Sequence, residues 1–306
     1  MATDVARAGV PLRGARLRAS AAFWRHRWLK GLALLSPPVL AFVLVYIAAL
    51  AVLFVSAFWS VDSFTGKLQH VWNVDNFRQI FSTSDPTYVR IAGRTIGIAA
   101  AVTVTDALLA FPLGYYMARV ARPRTRTLLF VMVLMPLWSS YLVRVYAWRL
   151  ILSGDGVLNW TLNGLGLPDA HIAYTNWAMW IVFSYLWLPF MVLPVYAALE
   201  RIPDSYLEAS GDLGARGFRT FRSVIVPLAL PGIVAGSIFT FSLTLGDYVT
   251  PLLVGGSGAS FIGNVVYDNI GLSANVPFAA AFATVPAMIM GLYLVIARRL
   301  GAFEAL

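Results

Sequence analysis

The chain has 306 residues, 59% of them hydrophobic and only 12% charged, a balance outside that of a soluble domain and expected of an integral membrane protein. It has no cysteine, which excludes disulfides and thiolate metal sites. Its formal charge of +9 is also compatible with nucleic-acid binding, so the positions of the charges have to decide.

Residues 1–30 read as a basic cytoplasmic tail, with Arg7, Arg13, Arg16, Arg18, Arg25, Arg27 and Lys30 against Asp4 alone. From 31 to 61 no charge occurs, a stretch longer than the ~20 residues that cross the hydrocarbon core. A cleaved signal peptide has an apolar region of only ~7–15 residues, so a retained first helix is predicted, with Pro37 and Pro38 near its start. The polar stretch 62–90 is predicted as an external loop. The second helix, 91–120, carries Arg94 and Arg119 near its ends and Asp106 and Pro112 inside; Arg122, Arg124 and Arg126 then make a short basic turn. A third helix is predicted over 128–152, an external loop over 153–176 and a fourth helix over 177–199, with Trp177, Trp180 and Trp187 suited to interfaces and packing. The fifth helix is predicted over 228–248, a Gly-rich external loop over 251–276 and the sixth helix over 277–296, ending at Arg298 and Arg299.

This topology puts seventeen of the twenty-three Lys and Arg residues on the inner side, the excess expected of cytoplasmic segments, so both termini are predicted inside. Membrane orientation accounts for the basic charge, and no nucleic-acid partner is implied. His26, His70 and His171 all fall in tail or loop segments, which excludes an intramembrane histidine metal cluster. The predicted organisation is a tail, 1–30, and a membrane domain, 31–306, with a cytoplasmic loop at 200–227.

In that loop Ser205 and Glu208 have capping-box spacing, so a short helix is predicted there. Gly214 falls where a left-handed residue would close it. Phe218, Phe221 and Ile225, interleaved with Arg216, Arg219 and Arg222, predict a second, amphipathic helix, and Pro227, Pro231 and Gly232 its passage into the fifth membrane helix. An ordinary surface loop whose arginines meet lipid headgroups would use the same residues.

Glu208 and Ala209, then Gly214, then Val224, Val226 and Pro227 resemble the EAA signature of permease subunits of ATP-binding-cassette importers. Ser210 stands in place of the usual second alanine and Val226 in place of the usual leucine before proline. The resemblance implies an all-α bacterial inner-membrane permease of the type I importer fold, with six transmembrane helices and both termini cytoplasmic. It implies that Glu208, Ala209, Ser210, Gly211, Gly214 and Ala215 form a coupling element docked on a cytoplasmic ATPase subunit. A second, related permease and an external solute-binding protein complete the implied assembly. No phosphate-loop motif occurs in this chain, so ATP and Mg are expected on the partner, with no cofactor, metal or catalytic residue here.

Gly246, Asp247, Tyr248, Val249, Pro251, Leu253, Gly255 and Gly256 resemble a run in spermidine/putrescine importer permeases. So do Met135, Pro136, Trp138, Arg144, Val145, Ala147 and Trp148, followed by Gly156, Asn159 and Leu165. This implies a polyamine solute; another small organic cation or amine-containing solute is the alternative. An aspartate at the bilayer centre costs roughly 2.5–3.5 kcal/mol, so Asp106, midway along its span, needs a partner or water. Asp247 lies nearer a helix end. Arg144 or Arg149 could neutralise either carboxylate as a structural ion pair. On the functional reading Asp247 and Asp106 face the solute, Arg144 lies beside them, and Tyr248, Trp138, Tyr141 and Trp148 are aromatic walls for a cation. Packing or interface roles suit the same aromatics. A membrane-embedded aspartyl hydrolase would need Asp106 and Asp247 to face each other, and both it and a passive channel leave the 200–227 loop without a task.

Overall fold

The computed structural model describes residues 27–62, 65–256 and 258–299. The predicted tail lies outside them up to residue 26, and its last four residues are helical. Two compact units divide the chain, Met1–Val55 and Ser56–Leu306.

In the first unit, α1 (Arg27–Phe42) contains Pro37 and Pro38, a π turn follows at Val43–Ile47, and α2 (Ala48–Ser56) runs on from it. The stretch Leu34–Ser56 is long and apolar enough to cross a membrane, as predicted.

The second unit starts with a small polar cap in place of a plain loop. Strands β1 (Ser60–Val61) and β2 (Leu68–Gln69) pair antiparallel with Ser60 opposite Gln69, and α3 (Asp75–Ile80) follows. Asn76 Nδ2 ties this cap together by donating to the carbonyls of Ala57 and Trp59, each at 2.9 Å. The long helix α4 (Thr87–Tyr115) begins four residues before its predicted start and ends in a π turn, Tyr116–Val120.

The predicted continuous helix over 128–152 is broken. α5 (Pro123–Leu134) passes into a 3₁₀ turn, Met135–Trp138, and α6 (Tyr141–Leu152) leaves it at a bend of 95°. Pro136 has no N–H to continue an α-helix, and Ser139 closes the turn by donating its N–H (3.2 Å) and its hydroxyl (2.7 Å) to the Pro136 carbonyl. The segment predicted as the next loop contains α7 (Val157–Gly164).

Thr175 caps α8 (Asn176–Glu200) by accepting from the Ala178 N–H at 3.3 Å. Next come α9 (Asp204–Asp212), α10 (Gly217–Thr220), a π turn at Phe221–Ile225, and α11 (Val226–Gly246). The predicted Gly-rich loop is largely helical, holding α12 (Val249–Val254) and α13 (Ile262–Gly271) before α14 (Val276–Arg299). Among the described residues five helices are long and apolar enough to cross a membrane, or six if the bent pair around Trp138 counts as one span, against six predicted.

α8 is the centre of this unit and packs along α4 and α11, which also pack on each other. It is apolar all round, as a helix enclosed by others should be, and Val182, Phe183, Leu186, Met191, Val192 and Val195 are fully buried. Small residues allow the close approach, because lipid tails offer no hydrophobic drive between helices and backbone packing has to supply it. A Cβ on Gly236 would lie 2.7 Å from Met191 Sδ and 3.0 Å from its Cα. A Cβ on Gly114 would lie 3.2 Å from Val195 Cγ1, whereas at Gly97 it would meet nothing within 4 Å. Gly236→Leu is therefore expected to lower stability by ~1–3 kcal/mol, the usual cost of overpacking. Gly97→Leu is expected to be neutral or slightly stabilising, as read from thermal unfolding midpoints in detergent.

Candidate coupling and solute-pathway sites

The short helix expected around Glu208 is α9, but the predicted capping box does not form. α9 starts at Asp204 with Pro203 at its N-cap and no side-chain cap, so Ser205 lies inside the first turn. Pro203 enters with extended geometry (φ −65°, ψ 141°), and Asp204 places a carboxylate at the positive end of the helix. The predicted closure at Gly214 is present. Gly214 has φ +75°, its N–H donates to the Gly211 carbonyl (2.8 Å), and the Ala215 N–H donates to the Ser210 carbonyl (3.0 Å), the bond pair of a Schellman motif.

The separate amphipathic helix expected after this elbow is instead the start of the membrane helix, continuous from Gly217 to Gly246. Pro227 lacks an N–H, and its ring would crowd the carbonyl one turn back. The π turn, closed by the Val226 N–H onto the Phe221 carbonyl, widens the helix there and lets it run through the proline. Glu208, Ala209, Gly211 and Gly214 are exposed, Ser210 and Ala215 half-buried. Leu213 (88% exposed) and Phe218 (76%) stand out beside them as apolar side chains in water or at a contact. Ser210 Oγ meets Thr220 Oγ1 across the elbow at 2.9 Å. Beneath α9, a cavity of about 470 Å³ opens between Pro194, Arg201, Tyr206, Leu228 and Gly232.

Two arginines to which the sequence assigned only membrane orientation hold this segment. Arg119 donates to Asp204 Oδ1 (2.6 Å), to the Leu199 carbonyl (2.8 Å) and to the Ile202 carbonyl. Arg126 donates from Nε to the Met117 carbonyl (2.9 Å), from Nη2 to the Ala118 carbonyl (3.2 Å) and from Nη1 to Glu200 (3.3 Å), which also accepts from the Tyr196 hydroxyl (2.7 Å). The available signal was arginines seven residues apart facing acids four residues apart, a pattern that identifies partners only once the helices are placed.

At the far end of α11, Asp247 leaves the helix with extended backbone and caps α12. Its Oδ1 accepts from the N–H groups of Val249 (2.7 Å) and Thr250 (3.0 Å), while Oδ2 accepts from the Thr250 hydroxyl (3.2 Å) and the Tyr141 hydroxyl. A carboxylate has about four acceptor positions, and all are used. Neither Asp247 nor Asp106 forms the ion pair with Arg144 or Arg149 that the sequence suggested; the ion pairs among the described residues are Arg78–Asp75, Arg119–Asp204 and Arg126–Glu200.

Tyr141, Trp187, Asp247 and Tyr248 line an open cleft of about 340 Å³. Tyr141 stacks on Trp187 with centroids 5.9 Å apart, and Tyr248 stacks on Tyr267 at 4.6 Å. Three predicted pathway residues thus come together, with Trp187 and Thr250 added. Four do not join them in that lining. Asp106 is fully buried on α4 with Ser184 as its polar neighbour and is not among the residues that line the cleft at Asp247. Trp148 packs against Tyr185 at 5.3 Å, and Trp138 is 81% exposed on the 3₁₀ turn. Arg144 is half-buried, with Nε and Nη1 lacking hydrogen-bond partners among the described residues.

Residues 110–303 match the family model described as binding-protein-dependent transport system inner membrane component. The chain is 45% identical over 302 residues to the inner membrane ABC transporter permease protein YdcU of Escherichia coli (strain K12), covering 94% of this chain and 95% of that protein. It is 32% identical over 228 residues to the spermidine/putrescine transport system permease protein PotB of the same strain, covering 74% and 82%. Among solved structures, a chain of the bacterial alginate ABC transporter in complex with alginate pentasaccharide-bound periplasmic protein is similar in fold. Its TM-score is 0.74 at 17% identity, over 92% of this chain and 96% of that one. A chain of the inward facing MetNI methionine ABC transporter has a TM-score of 0.51 at 19% identity, over 69% and 93%.

Because Asp247 caps α12, Asp247→Ala is expected to cost about 1–2 kcal/mol, the usual loss for a removed cap. Asp247→Asn, whose amide oxygen still accepts from the two N–H groups, should cost less, and unfolding midpoints of the two variants in detergent measure the difference.

Proposed function

The chain belongs to the binding-protein-dependent transport system inner membrane component family, and from that premise we propose that it is the permease subunit of an ATP-driven importer of polyamines, spermidine or putrescine. It works in the bacterial inner membrane with both termini cytoplasmic. Cytoplasmic ATPase subunits bind ATP and Mg and hydrolyse the nucleotide, a second related permease completes the pathway, and an external solute-binding protein delivers the solute.

The observation that carries the importer reading is α9. A short helix whose own packing is mainly against α10 and the following π turn, held by hydrogen bonds at both ends, presents Glu208, Ala209 and Gly211 outward. Small residues allow close backbone approach by a partner, and Glu208 supplies a charge for pairing across the contact. The rigid Gly214 elbow then passes movement of α9 into α11.

The polyamine reading is supported by the likeness to PotB and by the cleft at Asp247. Since the four acceptor positions of Asp247 are taken, its contribution to a cation is its charge at short range, and the aromatic faces of Trp187 and Tyr248 supply the contact. The likeness to YdcU, whose name carries no solute, leaves another small organic cation or amine-containing solute as the second reading.

Reconstituted with its ATPase, second permease and binding protein, the complex is expected to hydrolyse ATP several-fold faster with spermidine or putrescine than without solute. Hydrolysis indifferent to both polyamines would transfer the assignment to another solute, and failure to recruit an ATPase would overturn the importer reading. Glu208→Lys and Gly214→Pro are expected to reduce uptake by roughly tenfold or more at unchanged membrane abundance, the size that losing a charge-assisted contact implies. Asp247→Asn is expected to lower polyamine uptake without lowering the amount of assembled complex.

A further inference from the structure

Two links of different kinds hold α9 to the membrane helices. One is covalent, through the Gly214 elbow into α10, the π turn and α11, with the Ser210–Thr220 contact bracing it. The other is Arg119. This residue lies in the π turn that ends α4, and its side chain is only 14% exposed. Its guanidinium reaches three acceptors on another part of the chain: Asp204, the first residue of α9, the Leu199 carbonyl in the last turn of α8, and the Ile202 carbonyl between them. A planar fork serves several acceptors at fixed angles, whereas the ammonium of a lysine is a point charge.

The position of this contact matters because α4 packs along both α8 and α11. The helix α11 receives movement of α9 through the chain itself. No chain connection of comparable length joins α9 to α4, since Arg119 and Asp204 are 85 residues apart. Phe111 and Phe221 meet edge to face at 5.5 Å, which brings α4 against the π turn at the base of α11. Arg126 provides the contrast, since its contacts are with Met117, Ala118 and Glu200 and include no residue of α9.

We propose that Arg119 is a positioning residue that makes α4 follow the coupling helix in step with α11, so that without its clasp ATP hydrolysis no longer drives solute movement efficiently. This rests on the reading of 200–227 as the coupling loop. The natural absence of cysteine allows a direct test with Arg119→Cys and Asp204→Cys combined, and a short bismaleimide to join them. In the reconstituted complex, solute uptake per ATP hydrolysed is expected to fall roughly tenfold in the double variant, as for loss of a charge-assisted hydrogen bond. Cross-linking is expected to recover at least half of the original ratio. A merely structural role would not produce that recovery, so a ratio that stays at the wild-type value, or falls and is not recovered, overturns the proposal. An equal fall in Arg126→Ala also overturns it. Gly214→Pro separates the two levels: if it lowers the ratio and the double variant does not, only the role of Arg119 fails, and if it too leaves the ratio unchanged, the coupling reading itself fails. Should the double variant not assemble, Asp204→Ala, on a side chain 81% exposed, decides by the same ratio: a fall supports the clasp and a wild-type value overturns it.

Discussion

In hydrocarbon, a backbone N–H or C=O without a partner costs several kcal/mol, so the course of this chain depends on how each proline in a membrane helix is accommodated. Two answers appear. Before Pro227 the helix widens into the π turn Phe221–Ile225 and continues, which makes one long span of Gly217–Gly246. At Pro136 it tightens into a 3₁₀ turn, stops at Ser139 and resumes at Tyr141 in a different direction. The same residue type therefore either joins or divides a span, according to whether the neighbouring turn can reroute its hydrogen bonds.

Both candidate sites lie where that regular ladder is interrupted. The candidate coupling segment occupies the gap between α8 and α11, where the carbonyls of the buried Leu199 and Ile202 need donors and Arg119 provides them. The cleft at Asp247 occupies the gap between α11 and α12, where the first N–H groups of α12 need an acceptor and the carboxylate serves. In each case a polar side chain from a neighbouring segment completes a helix end. A carboxylate engaged by four donors is fixed in one orientation. Asp106 differs because it interrupts nothing; it lies within a continuous helix, fully buried, and belongs to the packing between α4 and α8.

The family likeness rests on residues whose spacing carries physical meaning. The interval from Glu208 to Gly214 is the length of a short helix with its left-handed stop, and that element is present, with Gly214 at φ +75°. The capping box at Ser205 failed although its spacing was correct, because Pro203 already supplied an extended entry and the helix began two residues earlier. The aromatics near Asp247 were only partly identified. Tyr141 and Tyr248 were recognised, but Trp187 joins them from α8, more than forty residues from either in the sequence.

From the sequence alone came the membrane class, most of the spans, the short helix around Glu208 with its elbow and the family, since these depend on composition, on runs of apolar residues and on local spacing. Tertiary structure decided which residues meet: Arg119 with Asp204, Tyr141 with Asp247, and neither aspartate with Arg144 or Arg149. Partner choice depends on which faces of distant helices are brought together, and small residues such as Gly236 and Gly114 set those approaches through contacts that no local pattern encodes.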